Sequence, residues 1–120
     1  MLLIMIGGGT GAALRFIVDG LILSRTRSGF PWGTMVINVT GSLISGFLAG
    51  LAGASLLGAE AWLILSVGLM GGFTTFSTAM VDTVRMAEGR EWRRFAINAF
   101  GMLVLAVAAA LAGLAIARAL

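Results

Sequence analysis

Residues 2–23, 33–51, 61–84 and 94–117 form predominantly apolar runs. Each is close to the roughly 20 residues a helix needs to cross a bilayer. Only short loops separate them, which leaves little chain for a water-facing surface. Charged residues make up 11% of the chain, against about 25% in soluble domains. The expected fold is an all-α integral membrane protein, a single domain over residues 1–120 with four transmembrane helices. The first apolar run has no basic residue before it and continues past the usual length of a signal-peptide core. It is expected to be a retained first span.

Composition removes several function classes. The chain has no Cys, His or Tyr, so thiolate metal sites and histidine acid–base chemistry are excluded. Gly7-Gly8-Gly9-Thr10-Gly11-Ala12 formally fits a dinucleotide fingerprint. That fingerprint needs a βαβ unit and an acidic residue about 20 positions on, and Asp19 is too close. There is no Lys for a Walker A loop. No enzyme is expected, and the basic balance points to membrane topology before nucleic acid.

The third apolar run is interrupted by Gly71-Gly72-Phe73-Thr74-Thr75-Phe76-Ser77-Thr78. Paired glycines and four hydroxyls suit a lipid-facing helix poorly. Non-helical backbone at membrane depth is tolerated only where protein buries it or water lines it. Broken helices of this kind build ion sites from their free carbonyls and amides. A helix broken over Gly71–Thr78 is therefore expected at the centre of an ion-conducting protein.

Trp32, Trp62 and Trp92 fall at the starts of spans 2, 3 and 4, as expected for rings that favour the headgroup level. Loops 1 and 3, with the adjoining residues, carry Arg25, Arg27, Arg85, Arg90, Arg93 and Arg94, whereas the opposite side has Arg118. Arginine excess marks the cytoplasmic side, so the termini are expected outside a multi-pass protein of the plasma membrane (the inner membrane of a cell with two). Gly7/Gly11, Gly46/Gly50 and Gly68/Gly72 are G-x-x-x-G pairs, which let helices approach closely. Four thin helices make a small bundle, so an oligomer is expected.

Polar residues inside the spans admit two roles each. Thr34, Asn38, Ser42 and Ser45 share one face of span 2, as an inter-helix seam or as the wall of a path. Asn98 in span 4 carries the same ambiguity. Phe76 beside the break is either packing or an edge-on ring, whose partly positive rim can solvate an anion. Asp82 is a solvated helix-end charge or a group at the pore mouth. Arg15 and Asp19 stand four residues apart and can pair, in a structural or topological role or as an anion-attracting vestibule.

Three blocks of this sequence together resemble the Fluc family of small fluoride channels, also called CrcB proteins. Gly7-Gly8-Gly9-Thr10-Gly11-Ala12-Ala13-Leu14-Arg15-Phe16 is similar to the family's G-G-x-x-G-A-x-x-R-aromatic opening. Gly33-Thr34-Met35-Val36-Ile37-Asn38-Val39-Thr40-Gly41-Ser42 is similar to G-T-x-x-x-N-x-x-G-S, and Gly71 through Thr78 to G-G-x-T-T-F-S-T. The resemblance implies an antiparallel, dual-topology dimer with two pores. It also implies a structural Na⁺ at the two-fold axis, held by the backbone carbonyls of Gly71 and Thr74. By position, Asn38, Phe76 and Ser77 match fluoride-facing residues, with Thr75, Ser42 and Asn98 on the same polar track. Asp82 stands where the family usually has Glu.

Two departures follow. The family's second phenylalanine is Ala79 here, which removes one ring from the track. A sequence that inserts both ways should show little arginine bias, yet this one is strongly biased. An antiparallel partner is then either a second copy or an oppositely biased paralogue. The implied function is passive, fluoride-selective export that lowers cytoplasmic fluoride. The rivals are a non-conducting or half-active subunit of a heterodimeric channel, and a small drug/proton antiporter working through Asp19.

Overall fold

The computed structural model describes residues 1–120. Helix α1 runs Leu2–Arg25 and α2 Trp32–Gly53. The third span, Ala59–Glu88, is two pieces, α3 over residues 59–73 and α4 over Phe76–Glu88. Helix α5, Trp92–Arg118, completes four membrane-crossing segments. Two stretches are wound as π-helix, Leu63–Met70 in α3 and Ile97–Gly101 in α5. Such turns cluster at functional sites in helices.

Glycine decides which helices meet. On α1 and α3, a Cβ at Gly11 would collide with the Leu69 carbonyl, and one at Gly72 with the Gly8 carbonyl. Gly7 and Gly68 are packed nearly as tightly. On α2 and α5, Gly46 lies against the Ala110 carbonyl, Gly50 against Ala117, and Gly113 against the Leu43 carbonyl. The G-x-x-x-G pairs are thus the seams of two helix pairs, α1–α3 and α2–α5. Dispersion between closely set backbones holds them where lipid removes the hydrophobic drive.

Only 18 of the 120 residues are buried, so most apolar side chains face outward and need lipid or another subunit to cover them. Trp32 and Trp92 open α2 and α5. The Trp32 indole N–H donates to Ser28 Oγ at 3.1 Å. Trp62 departs from the wet-ring expectation, because its Nε1 is buried without a partner.

Helices α2 and α4 end alike. Leu56 N–H returns to the Leu51 carbonyl, and Glu91 N–H to that of Met86. The residues between, Ser55 and Arg90, take φ of 59° and 55°. This is the Schellman ending, with a non-glycine residue in the left-handed position. The start of α5 and the loop after α1 meet, since the Arg94 guanidinium reaches Gly29.

Candidate functional site

The break is narrower than the glycine–threonine run suggests. Gly71–Phe73 remain helical and Phe76 restarts the helix. Only Thr74 and Thr75 are extended, with φ/ψ of −77°/157° and −145°/121°. The paired glycines do not break the helix; Gly72 serves the close approach to Gly8. Threonine suits the break itself, being β-branched and able to cap. Thr75 Oγ1 accepts from Thr78 N–H at 3.2 Å and so caps α4. The Thr74 amide and hydroxyl both return to the Met70 carbonyl, each at 2.9 Å.

Unpaired backbone in a membrane costs several kcal/mol per group, so each group at the break needs a partner. Asn38 supplies two. Its Oδ1 accepts from Thr75 N–H at 2.8 Å, and its Nδ2 donates to the Thr75 carbonyl, also at 2.8 Å. The second Nδ2 hydrogen reaches Met102 Sδ at 3.3 Å. Arg15 Nη1 donates to the Thr74 carbonyl at 3.2 Å. The helical spacing suggested a pair with Asp19; instead Arg15 serves the break, and the Asp19 carboxylate sits against Gly33 of α2. Gly33 must lack a side chain for that contact.

The Thr75 amide, which in a continued helix would return to the Gly71 carbonyl, is turned to Asn38 instead. Gly71 is exposed, and the Thr74 carbonyl keeps a second lone pair beside its bond from Arg15. Hard cations take oxygen ligands, and rings of backbone carbonyls are a known way to hold monovalent ones. Gly71 and Thr74 therefore fit such a cation, with further oxygens needed from outside this chain.

Beside the break lies an open groove of about 500 Å³, bordered by α2, α4 and α5. Asn38, Ser42, Ser45, Thr75, Phe76 and Asn98 all line it, so the polar face of α2 meets the break. Phe76 is 78% exposed, and its ring stands clear of the chain's own core. Ser77 is exposed next to it, 3.4 Å from Thr75 Oγ1. Ala79 forms part of the groove wall and is itself buried.

Asn98, in the π-turn of α5, is 1% exposed. Its Nδ2 donates to Thr83 Oγ1 at 2.8 Å and, more weakly, to the Ala79 carbonyl at 3.5 Å. Thr83, a partner that periodicity did not single out, donates in turn to the Ala79 carbonyl at 2.7 Å. Asp82, one residue before it, lies near Arg85, Asp19 and Thr34 rather than in the groove. The Met102 sulfur was also not foreseeable, because a methionine in an apolar run carries no polar signal.

A small four-span membrane protein, with a third helix broken at two threonines and pinned by an asparagine, is the class these features define. Residues 2–114 match the family described as CrcB-like protein, Camphor Resistance (CrcB). The chain is 43% identical over 122 residues to "Fluoride-specific ion channel FluC 1" of Leifsonia xyli, covering 98% of this chain and 89% of that one. It is 43% identical over 115 residues to "Fluoride-specific ion channel FluC 2" of Mycobacterium tuberculosis, covering 96% and 88%. With "Fluoride-specific ion channel FluC 1" of Streptomyces avermitilis it shares 40% over 119 residues, covering 99% and 96%. The chain belongs to the CrcB family.

Proposed function

We propose that this protein is a subunit of a fluoride-selective passive channel that exports fluoride and lowers its cytoplasmic concentration. The observation that carries this is the groove beside the pinned break, where hydroxyls, an amide and an exposed phenylalanine edge converge. Fluoride is small and strongly hydrated, so a path must replace its water with close donors. Ser42, Thr75 and Ser77 offer hydroxyls, and Phe76 offers a ring rim of partial positive charge. Asn38 contributes through the hydrogen it now gives to Met102. Sulfur is a weak acceptor, so an anion can displace it without disturbing the bonds to Thr75. Arg15 and Asp82 are vestibule groups or topology markers. Whole-length similarity to proteins named as fluoride channels supports the same function.

A Na⁺ held by the Gly71 and Thr74 carbonyls of two antiparallel subunits completes the proposal. When bound it supplies charge that offsets unpaired carbonyls at the break. The partner is a second copy or an oppositely oriented paralogue in the plasma membrane. The arginine distribution favours the paralogue, since one end of the bundle carries Arg25, Arg27, Arg85, Arg90, Arg93 and Arg94 and the other Arg118. This orientation puts the termini outside. Ala79 is the second reason, because a partner can bring the aromatic edge this position lacks.

Ion efflux from liposomes tests the proposal, with fluoride against chloride, for the purified chain and for the chain with a paralogue. Fluoride-selective efflux from the chain by itself establishes a self-sufficient channel. Efflux only from the mixture establishes the heterodimer, and silence from both, with folded protein, leaves a scaffold.

A further inference from the structure

The Asn98 side chain is expensive to bury, and it borders the groove while being only 1% exposed. Its Oδ1 is sealed and has no hydrogen-bond partner. Both Nδ2 hydrogens are committed, one to Thr83 Oγ1 and one to the Ala79 carbonyl. With Thr83 giving its hydroxyl proton to Ala79, this amide orientation offers a donor to both acceptors, whereas a flipped Asn98 would face them with its oxygen. An anion in the groove is therefore offered no donor by this residue, although the residue borders the groove.

We infer that Asn98 is a positioning residue, which sets the rotation of α4 and through it the direction of Phe76 and Ser77. Helix α4 needs such a fix. It follows two extended residues, and its own buried side chains are only Ala79, Thr83 and Met86. Asn98 grips two of those three, the carbonyl of Ala79 one turn beyond Phe76 and the hydroxyl of Thr83 two turns beyond it. Asn98 lies in the π-turn at Ile97–Gly101 and is buried there. Asn38 fixes the start of α4 at Thr75 from α2. Asn98 fixes its next turn from α5. Two points on different helices define an orientation that one point leaves free. This inference rests on the proposed channel function and adds a role to it.

The test compares Asn98→Leu with Asn98→Leu/Thr83→Val in the assembled protein, by fluoride efflux and by Tm. Replacing both partners of a buried hydrogen bond by apolar groups of similar shape can be nearly neutral. The single variant is expected to slow efflux about tenfold without lowering Tm, because it also removes an orphaned acceptor. The double variant, packed as an apolar pair, is expected to recover efflux to within about threefold of the parent. Slowing with no recovery would make Asn98 an ion ligand and overturn the inference. So would a single variant with parental efflux, or one whose efflux and Tm fall together. If the single variant does not assemble, the double variant against the parent decides, with parental efflux expected and loss contradicting. The chain has no cysteine, so Ser77→Cys gives an independent reporter. Its rate of modification by a small thiol reagent should change with Asn98→Leu and return in the double variant. That readout stands even if the parent conducts no fluoride, and an unchanged rate would count against positioning.

Discussion

Asn38 and Thr75 pair as two bases do, the amide of one taking both backbone groups of the other at 2.8 Å each. They are 37 positions apart in sequence, and their pairing joins α2 to the point where the third span leaves the helix. A break at membrane depth survives only if its backbone is satisfied, and this pair satisfies the residue with the most extended backbone.

Asn38→Leu removes both bonds and leaves two backbone groups unpaired. Each such group costs about 1–3 kcal/mol. The variant is expected to lose stability on that scale in thermal unfolding in detergent, and to lose efflux with it. An Asn38→Leu protein as stable as the parent would show that the pair does not hold the break.

Phe76 should behave in the opposite way. Its ring is 78% exposed, so Phe76→Ala removes little packing within the chain. Changes at such sites usually stay within about 0.5 kcal/mol. Fluoride efflux is expected to fall at least tenfold while Tm holds, which liposome flux and thermal unfolding read side by side.

Gly113→Ala forces a methyl onto the Leu43 carbonyl, and carbonyl backbone cannot move as a side-chain tip can. Overpacking of this kind costs about 1–3 kcal/mol. Gly53→Ala, with nothing near its added Cβ, is the control and should leave stability unchanged. Urea or thermal unfolding of the two variants checks the α2–α5 seam.

Ser55 sits at φ 59° where α2 ends. A left-handed conformation costs a non-glycine residue roughly 1–2 kcal/mol, of which glycine's greater unfolded freedom returns a part. Ser55→Gly is expected to raise stability by up to about 1 kcal/mol and to leave efflux alone, measured by Tm and liposome flux.

The spans were legible because length and apolarity leave a chain like this one architecture, and the G-x-x-x-G spacings named the faces that meet. The break was legible as a region, from hydroxyls in an apolar run. Its position was not, because Gly71 and Gly72 read as helix breakers, yet both stay helical and Gly72 packs against α1. Arg15 and Asp19 show the limit of periodicity. Their spacing permits a pair, but the guanidinium goes to an unsatisfied carbonyl on another helix, a demand that exists only after folding. The π-turns at Leu63–Met70 and Ile97–Gly101 were illegible for the same reason. An extra residue in a turn leaves no mark on an apolar sequence.

Fluoride efflux from liposomes tests the central claim most directly, with chloride as the control. The protein is reconstituted by itself or with an oppositely biased paralogue, and compared with the same preparation carrying Phe76→Ala. The account predicts rapid efflux of fluoride, little of chloride, and at least a tenfold loss of fluoride flux in the variant with the fold intact. Equal passage of both ions, or fluoride flux indifferent to Phe76, would contradict it.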